Sequence, residues 1–523
     1  MTNSYDAVPY HTRPFYACHP DCMAVVGILL GMTPAPPTRC RVLEIGCSSA
    51  GNIIPMALQY PESQFVGLDL SPVQIALGQA AVRDLAIPNI ELRAQSLTEI
   101  DATWGKFDYI VCHGVYSWVP EFVRAKILEI CRENLAPQGI AYISYNTYPG
   151  WFARKTLRDV MNYHVKRISD PRERVAQARQ LLEFLDKKGL PNDSPAAESL
   201  RGLIHDLRDV SDYYIFHEYL EEENQPFYFH EFMAAARTNG LQYMGNSWHH
   251  MDLDLLDPDA KSTLLNISED IVQLEQFTDF LTNRPFRRSL LCHDRVSLDR
   301  NPPPEIVSRL HVAALAEPVS AHPDCFSSAP ETFVVRDKRR GTTDQPLTKT
   351  MFTILAEAWP DSVPFESLWI EIEERLANHN CLTPELAERG REALAQTLLQ
   401  SYLGNFASLH VDPFPFTPVP GHRPRASRLA RWQASKDQDE FSNLRHAVVK
   451  LDRIDCILLP YLDGTKTRDQ LKDAVAERVH AGQLSISGDD GLPLAGDRLD
   501  AAINETVEAA LIRMARKSLF EVQ

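Results

Sequence analysis

The feature that most constrains the fold is a pair of apolar runs separated by a small-residue turn and one helix. The run 42–45 is followed by small residues at 46–51 and by a helical pattern that begins at Ile53. The second run, 65–68, ends in the carboxylate of Asp69. In nucleotide-binding βαβ units, small residues in the turn admit the ligand, and an acid after the second strand holds a ribose diol. This segment is therefore predicted to be the first half of such a unit.

Two details of the turn indicate which ligand it binds. Glu44 lies two residues before Gly46, and no G-x-G-x-x-G pattern follows. A pyrophosphate would meet a carboxylate of like charge there, whereas a sulfonium ligand with an α-amino group would meet an oppositely charged partner. The sequence therefore predicts that the ligand is S-adenosylmethionine.

The predicted cofactor site is formed by residues at the ends of the first four strands. Gly51 and Asp69 are eighteen residues apart, which leaves room for one complete helix between the loop and the acid. An ordinary tight turn, with Asp69 as a helix cap, is the alternative for these two positions. His113 has three open roles: a cofactor contact, a general base or a buried structural histidine. The predicted cofactor-binding residues are Glu44, Gly46, Cys47, Ser48, Gly51, Asn52, Asp69, Leu70, Gln74, Ser96, Leu97 and His113.

Aromatic and amide side chains follow the fourth and fifth predicted strands, where a methyl acceptor would approach. Tyr116 and Trp118 lie in the exit of the fourth strand, and Tyr145 and Asn146 end the fifth. The oxygens of Tyr145 and Asn146 can accept a hydrogen bond from an amine and so orient it. Tyr116, Trp118, Tyr145 and Asn146 are therefore the predicted catalytic residues. Packing in the core or in a loop is the alternative for each of them.

Strands and helices alternate through the first part of the chain. The predicted strands are 42–45, 65–69, 90–94, 107–112 and 140–145, and the predicted helices are 52–59, 72–85 and 121–134. This alternation predicts an α/β fold: a parallel, Rossmann-like sheet with helices on both faces and a ligand at the carboxyl ends of its strands.

A chain of 523 residues is expected to form about two to four domains. The predicted domains are 1–165, which binds the cofactor; 166–299, a helical middle or regulatory region; 300–424, a winged-helix-like domain; and 425–523, a C-terminal domain. Within the middle region, 225–250 is expected to supply a strand at 241–244 that closes the sheet. In the C-terminal domain, Thr467 and Gln470 have the spacing of a helix capping box.

Composition argues against two classes of partner. The net charge of −17 disfavours nucleic acid, and the longest apolar stretch, 22–32, is too short for membrane insertion. The ten cysteines are scattered singly, which is typical of reduced thiols in a cytoplasmic protein.

One short motif occurs twice, as His19-Pro-Asp-Cys22 and as His322-Pro-Asp-Cys325. Two His/Cys pairs could in principle bind zinc. The pairs lie in different predicted domains, so a chance recurrence is the better interpretation, and no metal site is predicted.

Several of these motifs together carry a family resemblance. The strongest segments are Ser4–Tyr10, Cys18–Pro20, Leu43–Asn52, His113–Pro120 and Ser144–Trp151; weaker ones are Tyr214–Phe232, Arg284–Leu291 and Leu458–Gly464. The chain resembles bacterial protein-lysine methyltransferases with a methyltransferase regulatory domain and a C-terminal module. It departs from the family pattern at Ser48 and Ala50, where glycines are common.

The resemblance implies a class I methyltransferase sheet, a helical middle domain and C-terminal small α/β or winged-helix-like domains. It also implies S-adenosylmethionine as the methyl donor, lysine of a protein substrate as the acceptor, and it allows a homodimer. A small-molecule or peptide N- or O-methyltransferase would have the same cofactor site and is the first alternative. A non-catalytic scaffold, suggested by Ser48 and Ala50, is the second.

Overall fold

The structure is a computed structural model that describes residues 12–191, 194–247, 256–335, 338–486, 494 and 496–522. The segment Ser4–Tyr10, which contributes to the family resemblance, lies outside the described residues. The predicted sheet, the helices around it and both tail regions lie largely within them.

A seven-stranded sheet forms the centre of the first 300 residues, with strand order β3-β2-β1-β4-β5-β7-β6. Its strands are Arg41–Ile45 (β1), Gln64–Asp69 (β2), Ile90–Ala94 (β3), Phe107–Cys112 (β4), Leu135–Asn146 (β5), Leu241–Asn246 (β6) and Phe286–His293 (β7). Strands β1 to β5 are parallel, and β7 runs antiparallel to both of its neighbours. The five strands predicted from the alternation are confirmed, as is a closing strand at 241–244.

The strand β7 was not predicted from the sequence. Its apolar pattern is interrupted by Arg287, which is fully buried rather than exposed. The Nε and Nη2 atoms of Arg287 each donate to Asp279 at 2.7 Å, and Nη2 also donates to Glu275 at 2.8 Å. Because a buried cation needs such partners, the strand could form only together with the helix that carries both carboxylates.

Helices cover both faces of the sheet. In chain order, the helices of this part of the chain are Pro20–Leu29 (α1), Ile53–Gln59 (α2), Pro72–Asp84 (α3), Glu121–Asn134 (α4), Trp151–Val165 (α5), Pro171–Phe184 (α6), Pro195–Asp206 (α7), Asp212–Ile215 (α8), Phe229–Thr238 (α9), Pro258–Ile267 (α10) and Ile271–Thr282 (α11). One core contains residues of α1, α2 and α3, and the other contains residues of α4, α9 and α11. The sheet therefore lies between two apolar layers, as the alternation predicts.

The region after residue 300 has two further cores. Its helices are Pro346–Ala358 (α12), Phe365–Asn378 (α13), Pro384–Leu403 (α14), Arg428–Ser435 (α15), Arg453–Leu458 (α16), Arg468–His480 (α17) and Asp497–Arg516 (α18). Its short strands are His311–Ala313 (β8), Ala316–Pro318 (β9), Glu331–Val335 (β10), Arg340–Thr343 (β11), Val363–Pro364 (β12), Ser408–His410 (β13), Phe441–Ser442 (β14) and Val448–Val449 (β15). The helix α17 begins with the predicted capping box of Thr467 and Gln470.

Both tail regions pack on the first domain. Val25 and Leu29 of α1 belong to the core that contains α12, α13 and α14. Leu429 of α15 belongs to the core of the sheet. Among the described residues, no helix is long and apolar enough to cross a membrane.

Candidate functional site

The candidate site lies where β1 is flanked by β2 on one side and by β4 on the other. Open α/β sheets bind their ligands at such a reversal of strand order, beyond the carboxyl ends of the strands. We name residues 44–52, 69–74 and 96–97 the cofactor half of the site. We name Trp118, which follows β4, and Asn146 and Trp151, at and after the end of β5, the acceptor half.

The loop after β1 has three residues with left-handed backbone: Gly46 at φ 74°, Ser48 at φ 50° and Ala50 at φ 65°. Glycine is required at position 46 because a Cβ there would overlap Val115 Cγ2. Ser48 and Ala50 carry a Cβ in the same backbone region, which costs about 1 kcal/mol each. The loop thus keeps a left-handed backbone conformation at positions 48 and 50, although neither residue is glycine.

The carboxylate of Asp69 is fixed by backbone N–H groups. Its Oδ2 accepts from Ser48 N at 2.9 Å, and its Oδ1 accepts from Ser71 N at 2.9 Å. Ser71 is itself the N-cap of α3, since its Oγ accepts from Gln74 N. A carboxylate fixed in this way at the end of the second strand is the group that holds a ribose diol in nucleotide-binding βαβ units.

Glu44 is 5% exposed and has one carboxylate oxygen without a partner. Its Oε1 accepts from Asn52 Nδ2 at 2.7 Å, whereas Oε2 has no hydrogen-bond partner among the described residues. Burial above all, with a smaller contribution from the charge of Asp69, raises the pKa of Glu44 to about 8, against the bond from Asn52, which lowers it. A buried carboxylate with one unpaired oxygen can pair with an ammonium group. The α-amino group of S-adenosylmethionine is such a group.

Asn52 joins the loop to three other parts of the chain. Its Nδ2 donates to Glu44 and to Cys18 Sγ, at 3.2 Å. Its Oδ1 accepts from Phe15 N at 2.9 Å and lies 2.8 Å from His446 Nε2. All the hydrogen-bonding capacity of this side chain is therefore used.

Gly51 packs too closely on another segment to bear a side chain, because a Cβ there would overlap the carbonyl oxygen of Thr12. Its N–H donates to Thr12 Oγ1 at 2.8 Å. The loop is thus closed on its outer side by the segment before α1.

The remaining residues of the cofactor half differ in exposure. Cys47 and Gln74 are each 1% exposed, whereas Leu70 is 67% exposed. The Oγ of Ser96 accepts from Thr98 N and starts a short 3₁₀ turn, and Leu97 packs on the core. Cys47 and Gln74 therefore belong to the buried base of the site. Leu70 is exposed, so its side chain could pack against a flat ring.

His113 lies between the two halves. Its Nδ1 is 3.0 Å from Tyr142 Oη and 3.1 Å from Ser144 Oγ, and its ring stacks on Phe15 at 4.3 Å. Burial, followed by the charge of Arg288, lowers the pKa of His113 to about 4. A group with this pKa is a weak proton acceptor at neutral pH, so the geometry favours a contact role over a general base.

Two of the four predicted catalytic residues lie in the core. Tyr116 and Tyr145 are 4% and 1% exposed, and both pack against Phe232 of α9. The Tyr145 hydroxyl is 3.0 Å from Ser289 Oγ. The structure therefore places these two tyrosines behind the acceptor half, on the sheet face opposite to His113.

The other two predicted catalytic residues come from the two strand exits and lie in the acceptor half. Trp118 is half-buried and packs edge-on against Trp151 at 6.5 Å. Asn146 donates from Nδ2 to Asn224 Oδ1 at 3.4 Å, and no described residue donates to its Oδ1. An amide oxygen that accepts from no other group can accept from an amine and orient it.

Three residues near this half were not predicted. Phe15 stacks on His113, and Asn224 holds Asn146. Arg288 of β7 lies with its guanidinium over Phe15 at 5.1 Å, and its Nε has no described hydrogen-bond partner. Of these three, only Phe15 could have been suspected from the sequence, because it belongs to the aromatic-rich segment before α1. Asn224 and Arg288 reach the site through tertiary contacts, which no local pattern indicates.

The repeated His-Pro-Asp-Cys motif has two different settings. His19 Nδ1 accepts from Asp21 N and caps α1, and Asp21 pairs with His410 at 2.9 Å. In the second copy, Cys325 Sγ is 3.2 Å from Thr353 Oγ1. Across the described ranges, no group of three or more His, Cys, Asp or Glu side chains is placed to hold a metal ion.

Three segments of the chain match known domain families. Residues 42–139 match a methyltransferase domain, and residues 211–293 match a predicted methyltransferase regulatory domain. Residues 422–519 match the C-terminal winged helix domain of PKMT. The winged-helix match thus lies in the last domain of the chain.

Similar proteins extend over nearly the whole chain. The uncharacterized protein RP789 of Rickettsia prowazekii is 35% identical over 492 residues, which cover 93% of this chain and 88% of that protein. A second protein of that organism, RP028, is 41% identical over 241 residues, or 46% of this chain and 96% of that protein. The solved structure of PKMT2 from Rickettsia typhi in complex with AdoHcy superposes with a TM-score of 0.87 at 29% identity. It covers 98% of this chain and 100% of that chain.

Proposed function

We propose that this chain, which belongs to the bacterial protein-lysine methyltransferase family and is an S-adenosylmethionine-dependent methyltransferase, methylates the side-chain amine of lysine in a protein substrate. The observation that carries the proposal is the Oδ1 of Asn146, which accepts from no described residue and belongs to the same two strand exits that bring Trp118 and Trp151 together. The similarity to PKMT2 over the whole chain supports it.

The cofactor half would supply partners for two polar groups of the donor. Glu44 Oε2 would accept from the α-ammonium group, and Asp69 would accept from the ribose hydroxyls. The exposed Leu70 would cover the adenine ring. When bound, S-adenosylmethionine supplies a methyl carbon that is electrophilic because it is attached to a sulfonium.

The acceptor half has to favour a neutral amine. Lysine has an ordinary pKa of about 10.4, so only about one side chain in two thousand is neutral near pH 7. Burial against Trp118 and Trp151 disfavours the ammonium form. The guanidinium of Arg288, which already lowers the pKa of His113, acts on an ammonium in the same direction.

Once neutral, the amine needs orientation rather than further activation. A hydrogen bond from its remaining N–H to Asn146 Oδ1 would aim the lone pair at the methyl carbon. Holding two reactants in line accounts for a large part of such rate accelerations. Tyr116 and Tyr145 would act only by supporting the strand exits from the core.

The direct test is transfer of a labelled methyl group from S-adenosylmethionine to proteins of a cell lysate, followed by mass spectrometry of the modified residue. Label on lysine is the expected result. Label confined to small molecules, or to oxygen atoms, would contradict the proposal.

The variant Asn146→Asp distinguishes an amine acceptor from a hydroxyl acceptor. A carboxylate at this position would pair with the ammonium and raise its pKa, so methyl transfer to lysine is expected to fall about tenfold or more at pH 7. A hydroxyl acceptor would gain a general base instead, and its methylation would be maintained or increased. A homodimer and a cytoplasmic location remain predictions from the sequence.

A further inference from the structure

A turn of the C-terminal domain carries one side chain into the cofactor half. The backbone N–H groups of Arg445 and Ala447 both donate to Asn443 Oδ1, and Asn443 Nδ2 donates to Lys517 O at 3.0 Å. His446, at the tip of this turn, has left-handed backbone at φ 54° and is 1% exposed. The backbone of the turn is therefore fixed by contacts within the C-terminal domain, while the side chain of His446 is buried against the first domain.

The partners of Asn52 determine which way its carboxamide points. Nδ2 donates to Glu44 Oε1, and Oδ1 accepts from Phe15 N. His446 Nε2 lies 2.8 Å from the same Oδ1, so this nitrogen must carry a proton and donate it. Burial, and then the neighbouring His19, hold the pKa of His446 well below its ordinary value. The ring is therefore neutral, with its proton on Nε2.

The hydrogen bonds thus run from one domain to the acid of the cofactor half: His446 to Asn52, and Asn52 to Glu44. We propose that His446 is a positioning residue of the cofactor site, which holds Asn52 so that Glu44 Oε1 stays bonded and Glu44 Oε2 is left for the donor's ammonium group. The inference concerns cofactor binding alone and does not rest on lysine as the acceptor.

The C-terminal domain has a separate attachment to the first domain. Trp432 Nε1 donates to Asp84 Oδ2 at 3.0 Å, and Lys436 Nζ is 3.2 Å from the same oxygen. Leu429 packs in the core of the sheet. A change at His446 should therefore alter the orientation of Asn52 without releasing the domain. Because binding linkages are reciprocal, cofactor bound at Glu44 should also strengthen the docking of His446.

The test compares His446→Phe with His446→Gln in the full chain, by calorimetric titration with S-adenosylhomocysteine. Phenylalanine fills the space without a donor, so the dissociation constant is expected to rise about tenfold. Glutamine can donate from Nε2 in place of the imidazole, so its dissociation constant should stay within about threefold of the wild type.

The pH dependence separates positioning from loss of stability. The bond from Asn52 lowers the pKa of Glu44, so a loosely held Asn52 in His446→Phe should move the midpoint of the affinity-against-pH curve to higher pH. His446→Gln should keep the wild-type midpoint. A purely structural role would leave the midpoint unchanged in both variants.

The matched control is Asp455→Asn. Asp455 is fully buried in the C-terminal domain and pairs with Arg513 at 2.7 Å, so the change weakens that domain without touching Asn52. Wild-type affinity and midpoint are expected for this control. The proposal is overturned if His446→Phe binds like the wild type with the same midpoint, or if Asp455→Asn weakens binding as much as His446→Phe does.

Discussion

The cofactor half and the acceptor half of the site are built in different ways. In the cofactor half, loop backbone and polar side chains within one short segment bond to one another, as Ser48 N does to Asp69 and Asn52 does to Glu44. In the acceptor half, Trp118 and Asn146 are held by residues far away in the sequence, such as Trp151 and Asn224. The bonds inside the βαβ unit need only that unit, and Asn52 is held in addition by Phe15 and His446; the acceptor half requires the middle region.

This difference predicts that the two halves can be damaged separately. Changes in the cofactor half should alter the affinity for S-adenosylhomocysteine. Changes in the acceptor half should alter the rate of methyl transfer at an unchanged affinity. A variant that alters both quantities would show that the halves are coupled.

The largest effect is expected from Asp69→Ala. The change removes the two backbone bonds that hold Ser48 and Ser71, and with them the two bonds to the ribose that the proposed function assigns to this carboxylate. Bonds to a charged group contribute about 1.5–3 kcal/mol each, so the dissociation constant for S-adenosylhomocysteine should rise on the order of 1000-fold. Asp101→Ala is the control, since Asp101 also accepts from a backbone N–H but is exposed and starts a short turn elsewhere. Tight binding by Asp69→Ala would remove this residue from the cofactor half.

The next effect is expected in the acceptor half, from Asn146→Ala. Loss of one oriented polar group at a reacting centre costs about 100-fold in turnover, and the affinity for S-adenosylhomocysteine should stay within about twofold. Steady-state kinetics and calorimetry measure the two quantities.

The matched variant Tyr145→Phe removes only the hydroxyl that faces Ser289. Because Tyr145 lies in the core, turnover should fall by less than about threefold, the effect of one buried hydrogen bond. A loss as large as that of Asn146→Ala would place Tyr145 in the acceptor half, as the sequence predicted.

A smaller effect is expected from pH, through Glu44. The folded pKa of about 8 lies above the ordinary value of about 4.3, so the folded chain binds a proton that the unfolded chain has lost. Without cofactor, stability should therefore decrease as the pH rises between these values. An ammonium ligand needs the ionised carboxylate, so the dissociation constant of S-adenosylhomocysteine should fall by up to about tenfold per pH unit between pH 6 and 7.5. Glu44→Gln should bind weakly with no such dependence.

The smallest effect is expected from Arg288→Met. Loss of the guanidinium should raise the apparent pKa of the acceptor amine by about half a unit, so kcat/KM below that pKa falls about threefold. Arg288→Lys keeps the charge and should keep the pH profile. An unchanged profile with weaker binding of S-adenosylhomocysteine would instead assign Arg288 to the cofactor half.

The sequence predicted those parts of the fold that depend on local patterns. Strands β1 to β4 and helices α2 to α4 lie within one residue of their predicted bounds, because apolar periodicity and caps such as Ser71 act over a few residues; β5 begins five residues earlier than predicted. The strand β7 has no such pattern, since buried Arg287 is made stable only by Asp279 of another element.

The same limit applies to the site. The grouping of Glu44, Gly46 and Asp69 could be predicted from the sequence because all three belong to one βαβ unit. Tyr145 was predicted to face the acceptor, but strand alternation sends its side chain to the other sheet face, where Phe232 stacks on it. The contact of His446 with Asn52 joins residues 394 positions apart, and no spacing rule could indicate it.

The position of β7 beside β5 has a consequence for synthesis of the protein. The edge of β5 is paired only when residues 286–293 are available, about 140 residues after β5 ends. At ordinary translation speeds that interval lasts roughly 10 to 30 s. During it, the nascent chain exposes an unpaired strand edge, which is a template for aggregation. A chain cut at the predicted boundary of residue 165 would keep that edge permanently, so the smallest soluble piece with the cofactor half should extend through His293.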